Sequence, residues 1–423
     1  MIGWKRFSSF FTRRSEAARI AVLAVLLSCS ATPLNAEFKN HISLGYDSFI
    51  DRFTILEEDT VESIQEFYTS IGNNLYLHKN RIKTELRNIF RYGNQSVDDY
   101  VEGHLFLRPR ESMRIDLRSN LHWKHFQDGS DYAFGNDYIQ SNTVLKFGGN
   151  LNDRFRITSK NRFEIINYQE NTEFDYDYRY FDTGLELEGG SYFKRFVRVG
   201  AFVGFKETPD TTALSYRRTV SEIETQLMAR ENILFHLTVT GDRRDYRENI
   251  RSSYWSVTSY ADLSVNTING TLYSLRVESE LAIFDEPTTT FFDTYFFRGG
   301  FKVKVPISSL VSVFFEPRLA RMFCSDFEEE RYWEGSAVFG IDVFGRDEFW
   351  LTASYEPGYR DYLAAVNEIY SDFYLNRLSL MGSIAIPGSM TLNIFITHDP
   401  ERHARRDDDF SITLVSTEVT KRF

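Results

Sequence analysis

Apolar and polar positions alternate along most of this chain. In residues 271–284, TLYSLRVESELAIF, Tyr273, Leu275, Val277, Leu281 and Ile283 share one parity, and Ser274, Arg276, Glu278 and Glu280 share the other. Successive side chains of a strand point to opposite faces, so a period of two marks a strand with one apolar and one charged face. Residues 112–125 and 195–206 repeat the pattern, with Ile115, Leu117 and Leu121 against Arg114, Asp116 and Arg118, and Val197, Val199 and Val203 against Arg198 and Lys206. These runs exceed the roughly 5–6 residues of an ordinary globular strand. They are long enough to cross a bilayer, for which a tilted strand needs about 9–11 residues.

Breaks in the pattern are of two kinds. Tight ones fall at 78–80, 108–112, 148–153, 188–192, 229–233, 265–270, 306–310, 344–348 and 386–390. More polar ones fall between them, at 50–62, 127–136, 207–213, 241–250, 324–330, 360–368 and 399–409. The repeating unit is a hairpin of about 40 residues. A propeller blade of that length would hold four short strands and its own signature; here each unit holds two long strands and no such signature. The hairpins, with one further strand at each end, predict an all-β, up-and-down antiparallel transmembrane barrel of about 20 strands (18–22), with short turns on one side and longer loops on the other. Closure leaves no sheet edge unpaired, which lipid would penalise.

Residues 1–36 differ in kind. Lys5, Arg6, Arg13, Arg14 and Arg19 precede the apolar run IAVLAVLLS, and a small residue, Ala36, follows. This reads as a cleaved secretory signal, leaving 37–423 as a single barrel domain. Cys29 loosely fits a lipoprotein processing site and Arg13-Arg14 a twin-arginine signal, but the surrounding residues fit both poorly. No other apolar run is long enough for a transmembrane helix. The chain has a formal net charge of −11, and loss of the basic leader makes it more acidic still. That argues against nucleic acid as a partner. Cys324 alone remains outside the leader, so no internal disulfide is expected.

The leader, the alternating strands, the turn asymmetry and the terminal Phe423 together resemble the outer-membrane β-barrel proteins of Gram-negative bacteria, porin-like in layout. The resemblance covers essentially all of 37–423 and speaks to architecture more than to function. It implies outer-membrane lipid as surroundings, short turns on the periplasmic side, and a last strand, about 410–423, read by the barrel assembly machinery through Phe423. Lys421 departs from the apolar residue common there. On that strand Phe410, Ile412 and Leu414 share a face, and Val415, Val419 and Phe423 continue it only through a one-residue bulge.

An arginine or lysine at the bilayer midplane costs about 2–4 kcal/mol, so the charged face must line the lumen. This places Lys83, Arg87, Arg91, Arg114, Arg118, Lys124, Arg156, Lys160 and Arg162 inside, followed along the chain by Glu186, Glu222, Glu224, Glu278 and Glu280. A basic and an acidic wall would orient polar solutes; a network of ion pairs would only hold the barrel round. Tyr176, Tyr178 and Tyr180 could stack a solute at the channel mouth, or join an aromatic girdle with Tyr92, Trp123, Tyr168, Phe205, Phe323 and Tyr359 if a bulge flips their register. No nucleophile elbow or zinc-protease motif occurs, so no catalytic residue, cofactor or metal is assigned; His236 reads as a lining residue, and His398 and His403 with Asp407–Asp409 as a solvated loop. A diffusion channel for small polar solutes is the leading expectation. An export or assembly pore and a non-conducting structural or adhesive barrel are the alternatives, and a homo-oligomer is open.

Overall fold

The computed structural model describes residues 35–423 apart from 56–57, 128–135, 171, 173–174, 192–193, 249–251, 346–348 and 365–369. The expected leader lies outside the described residues as far as residue 34. Twenty strands make one sheet: β1 (Asn35–Ile55), β2 (Glu58–Lys79), β3 (Ile82–Gly93), β4 (Ser96–Arg110), β5 (Met113–Phe126), β6 (Tyr138–Asn150), β7 (Phe155–Tyr168), β8 (Tyr178–Ser191), β9 (Arg195–Glu207), β10 (Tyr216–Arg230), β11 (Ile233–Tyr246), β12 (Tyr254–Asn266), β13 (Leu272–Phe284), β14 (Thr294–Pro306), β15 (Val311–Cys324), β16 (Tyr332–Phe344), β17 (Trp350–Tyr362), β18 (Phe373–Ile386), β19 (Met390–His403) and β20 (Phe410–Arg422). Each pairs antiparallel with its neighbours in sequence, and β20 pairs with β1 from His41↔Arg422 to Phe53↔Phe410. The sheet is a closed barrel of twenty strands.

Connections of two to five residues, at 80–81, 111–112, 151–154, 192–194, 231–232, 267–271, 307–310, 345–349 and 387–389, gather at the end where β1 begins. The residues with positive φ, Asn80, Gly190, Gly270, Gly388 and Ser389, all lie at this end, as tight hairpins require. The other end carries most of the longer connections. Three of those, at 94–95, 169–177 and 285–293, are missing from the breaks expected from sequence. The expected break at 50–62 is instead mostly strand, because β1 and β2 pair on as far as Ile55↔Glu58.

One face of every strand is concave. Side chains on it reach over a neighbouring strand, as Arg91 of β3 does to Asp47 of β1 (2.8 Å) and Arg318 of β15 to Glu356 of β17 (3.3 Å). The convex face is apolar and exposed, with Phe67 at 62% and Leu185 at 56%. Its polar side chains bond across the strands: Ser119 to Thr143, Asn161 to Thr183 and Ser259 to Ser279, each at 2.8 Å. Lipid offers polar groups no partner, so a polar residue on this face is tolerated when its neighbour satisfies it.

The last strand departs from the expected bulge. Its register with β19 and β1 runs without a shift. Phe410, Ile412 and Leu414 therefore face inward with Ser416 and Glu418, while Val415, Val419 and Lys421 face outward. The Phe423 amide bonds the Asn40 carbonyl at 3.0 Å, extending the ladder to the final residue.

Candidate functional site

The concave wall is where chemistry concentrates, because alternation sends most of the charged side chains of the strands there. The structure places all fourteen of the charged residues singled out from sequence on this face. It does not keep bases and acids on separate walls. Arg114 of β5 and Arg156 of β7 both reach Glu188 of β8, at 3.8 and 3.5 Å. Arg198 bonds Glu224 at 2.6 Å, with His236 on the same carboxylate at 3.4 Å, and Arg162 bonds Glu164 at 2.5 Å. Arg118 lies 3.4 Å from Asp116, Lys124 4.0 Å from Asp98, and Arg298 3.9 Å from Glu278. Arg91 is held between Asp47 and the buried Glu66 with its guanidinium 3.5 Å from the Tyr68 ring centroid, and Lys160 lies over Phe202.

Some charges stay outside this network. Among the described residues Lys83 and Arg87 on β3 form no ion pair, nor do Glu222 on β10 and Glu280 on β13. Nine strands lie between β3 and β13 on either side of the ring of twenty, so Lys83 and Arg87 face Glu280 from opposite walls.

The three tyrosines lie on or against the inner wall. Tyr178 donates to Glu164 at 2.7 Å, Tyr180 is only 7% exposed, and Tyr176 accepts from Lys206 at 3.2 Å. The register of β8 with β7 and β9 is continuous, so no bulge turns these rings to the girdle. Tyr168 is inward too, against Tyr138, whereas Tyr92, Trp123, Phe205, Phe323 and Tyr359 do lie outward. Sequence reasoning missed a cavity of about 540 Å³ on the wall of β10–β13, near the loop end. Arg218, Arg244, Tyr254, Phe284 and Glu280 line it, and Arg244 lies 5.4 and 5.5 Å from the rings of Tyr216 and Tyr254. The even-numbered aromatics of β10–β13 were the available signal.

The remaining histidines part company. His398 faces outward and bonds Thr413 at 2.8 Å; His403 faces inward against Phe373. No cluster of metal ligands forms among the described residues. Ser371 Oγ donates to Asp408 at 2.6 Å, and His403 Nδ1 sits 3.2 Å from that hydroxyl and 3.3 Å from the Ser371 carbonyl. A ring nitrogen that donates to a carbonyl is no base for the serine, so the trio ties two loops together.

No family model matches the sequence, and no curated protein matches it. Solved structures do match in shape. They include OccAB4 of Acinetobacter baumannii (10% identity, TM-score 0.51, covering 92% of this chain and 98% of that one) and the siderophore receptor PirA of Pseudomonas aeruginosa (7%, 0.53, 93% and 81%). The alcaligin outer-membrane receptor FauA of Bordetella pertussis also matches (8%, 0.55, 92% and 76%). Identities this low speak for fold alone. In fold, the chain is a β-barrel of the Gram-negative outer-membrane kind.

Proposed function

We infer that this protein is an outer-membrane channel through which small polar solutes diffuse, delivered there by residues 1–36 and assembled through the strand that ends at Phe423. The observation that carries this reading is the inner wall. It carries most of the strands' charged side chains, and among the described residues every element is a barrel strand or a one-turn 3₁₀ segment, so none of them forms a plug domain. Barrels of 16–18 strands already enclose an aqueous channel, and twenty strands enclose more. The chain covers 98% of OccAB4 but 76–81% of the two receptors, so part of each receptor has no counterpart among the matched residues of this chain.

The test is single-channel conductance of the refolded protein in a planar bilayer under a salt gradient. Steady steps are expected, with a reversal potential that moves toward cation preference when Lys83 and Arg87 are both replaced by glutamine. Silence from protein shown to be folded overturns the diffusion channel and leaves an export pore or a structural barrel.

A further inference from the structure

The outer face carries arginines where lipid should be. Arg217, Arg243 and Arg321 have outward parity and lie within four residues of the loop end of their strands. Each must find an anion or remain uncompensated beside apolar surface. Arg243 carries its own anions. Lying 5.4 Å from the Trp255 ring, it bonds Asp245 at 2.6 Å and Asp285 at 2.5 and 2.7 Å.

Arg321 sits at the same level with none. Its guanidinium is 3.8 Å from the Phe323 ring centroid and 4.1 Å from that of Trp333, and its Nε is buried with no acceptor. The acidic loop above does not reach it: Glu328 pairs with Arg331 at 3.1 Å, Glu330 accepts from Tyr370 at 2.9 Å, and Asp326 accepts from Ser325 at 2.8 Å. Aromatic rings mark the depth at which a membrane gives way to headgroups. At that depth the abundant anion is phosphate, whose oxygens match the planar fork of arginine.

We propose that Arg321, clamped by Phe323 and Trp333, is a binding site for the phosphate of an anionic lipid headgroup. The site rests on the outer face meeting lipid and is independent of whether the barrel conducts. Folded protein in neutral detergent, its fold checked by heat-dependent gel mobility, is titrated with dioleoylphosphatidylglycerol, with dioleoylglycerol and with inorganic phosphate, and bound adducts are read by native mass spectrometry. The wild-type chain is expected to bind the phospholipid in preference to dioleoylglycerol. Arg321→Gln should weaken that binding about tenfold, with Arg321→Lys in between. Equal binding by Arg321→Gln, or equal binding of dioleoylglycerol, overturns the site. Inorganic phosphate bound as tightly as the lipid overturns the headgroup as its source. Should Arg321→Gln not fold, Trp333→Leu keeps the charge and removes half the clamp; unchanged binding by that variant overturns the proposal.

Discussion

Glu66 is 3% exposed and is surrounded by bonding partners. Its carboxylate pairs with Arg91 and accepts from the Ser96 amide (3.2 Å) and hydroxyl (2.9 Å). Removing one partner of a buried ion pair strands the other. Glu66→Ala should therefore cost about 3–5 kcal/mol in equilibrium unfolding by denaturant in lipid vesicles, whereas Glu37→Ala, in an exposed pair with Lys39, should cost under about 1 kcal/mol. Asp285, in the loop after β13, behaves differently. The hydrogen-bonded Arg243 guanidinium holds its carboxyl below the usual carboxylate range. A depressed folded value means stability that is present above the unfolded pKa and lost as pH falls through the folded one. Asp285→Asn should then destabilise the fold slightly at neutral pH, by under about 1 kcal/mol for so exposed a pair, seen as a lower thermal midpoint, and the difference should vanish as pH falls through the depressed folded value. A gap that persists in acid would show that the pair is not its cause.

A strand here is two surfaces with different solvents, and the cost of a charge depends on parity. Leu185 on β8 faces outward and Thr258 on β12 faces inward, and both are exposed. Leu185→Arg should cost about 2–4 kcal/mol in the same unfolding measurement, and Thr258→Arg should stay within about 0.5 kcal/mol. Equal costs would mean that the faces are misassigned. Two glycines show what the inner face requires at close quarters: a Cβ on Gly45 would collide with the Tyr68 ring, and one on Gly340 with the Phe314 ring. Strand existence and parity were legible from alternation alone. Ends were less so, because a polar stretch such as 50–62 reads as a break until its pairing partner is known. The short Gly93-Asn94 hairpin end escaped notice for a related reason: it lacks the polar run that marks the other loops.

At the scale of the whole molecule, closure turns twenty half-stable ribbons into one wall. Each strand exchanges hydrogen bonds on both edges, so none is left for lipid to penalise. The ring also decides which charges meet. Arg114 and Arg156 come from strands separated by a third, and converge on Glu188 because the wall is curved. The ion pairs knit the wall, and in the proposed channel the charges outside them, Lys83 and Arg87 among them, are those able to act on a solute.

The order of residues by itself determined the two-faced strands, the unit of one hairpin, the count near twenty, and the inward destination of the charged side chains. Each follows from a period of two and from the cost of charge in lipid, which are local matters. Only the tertiary structure decided the partners. Whether bases form a wall of their own, which tyrosines look inward, and which arginines lack an anion all depend on register and curvature across strands distant in sequence. Those are properties of the closed sheet, and no single strand contains them.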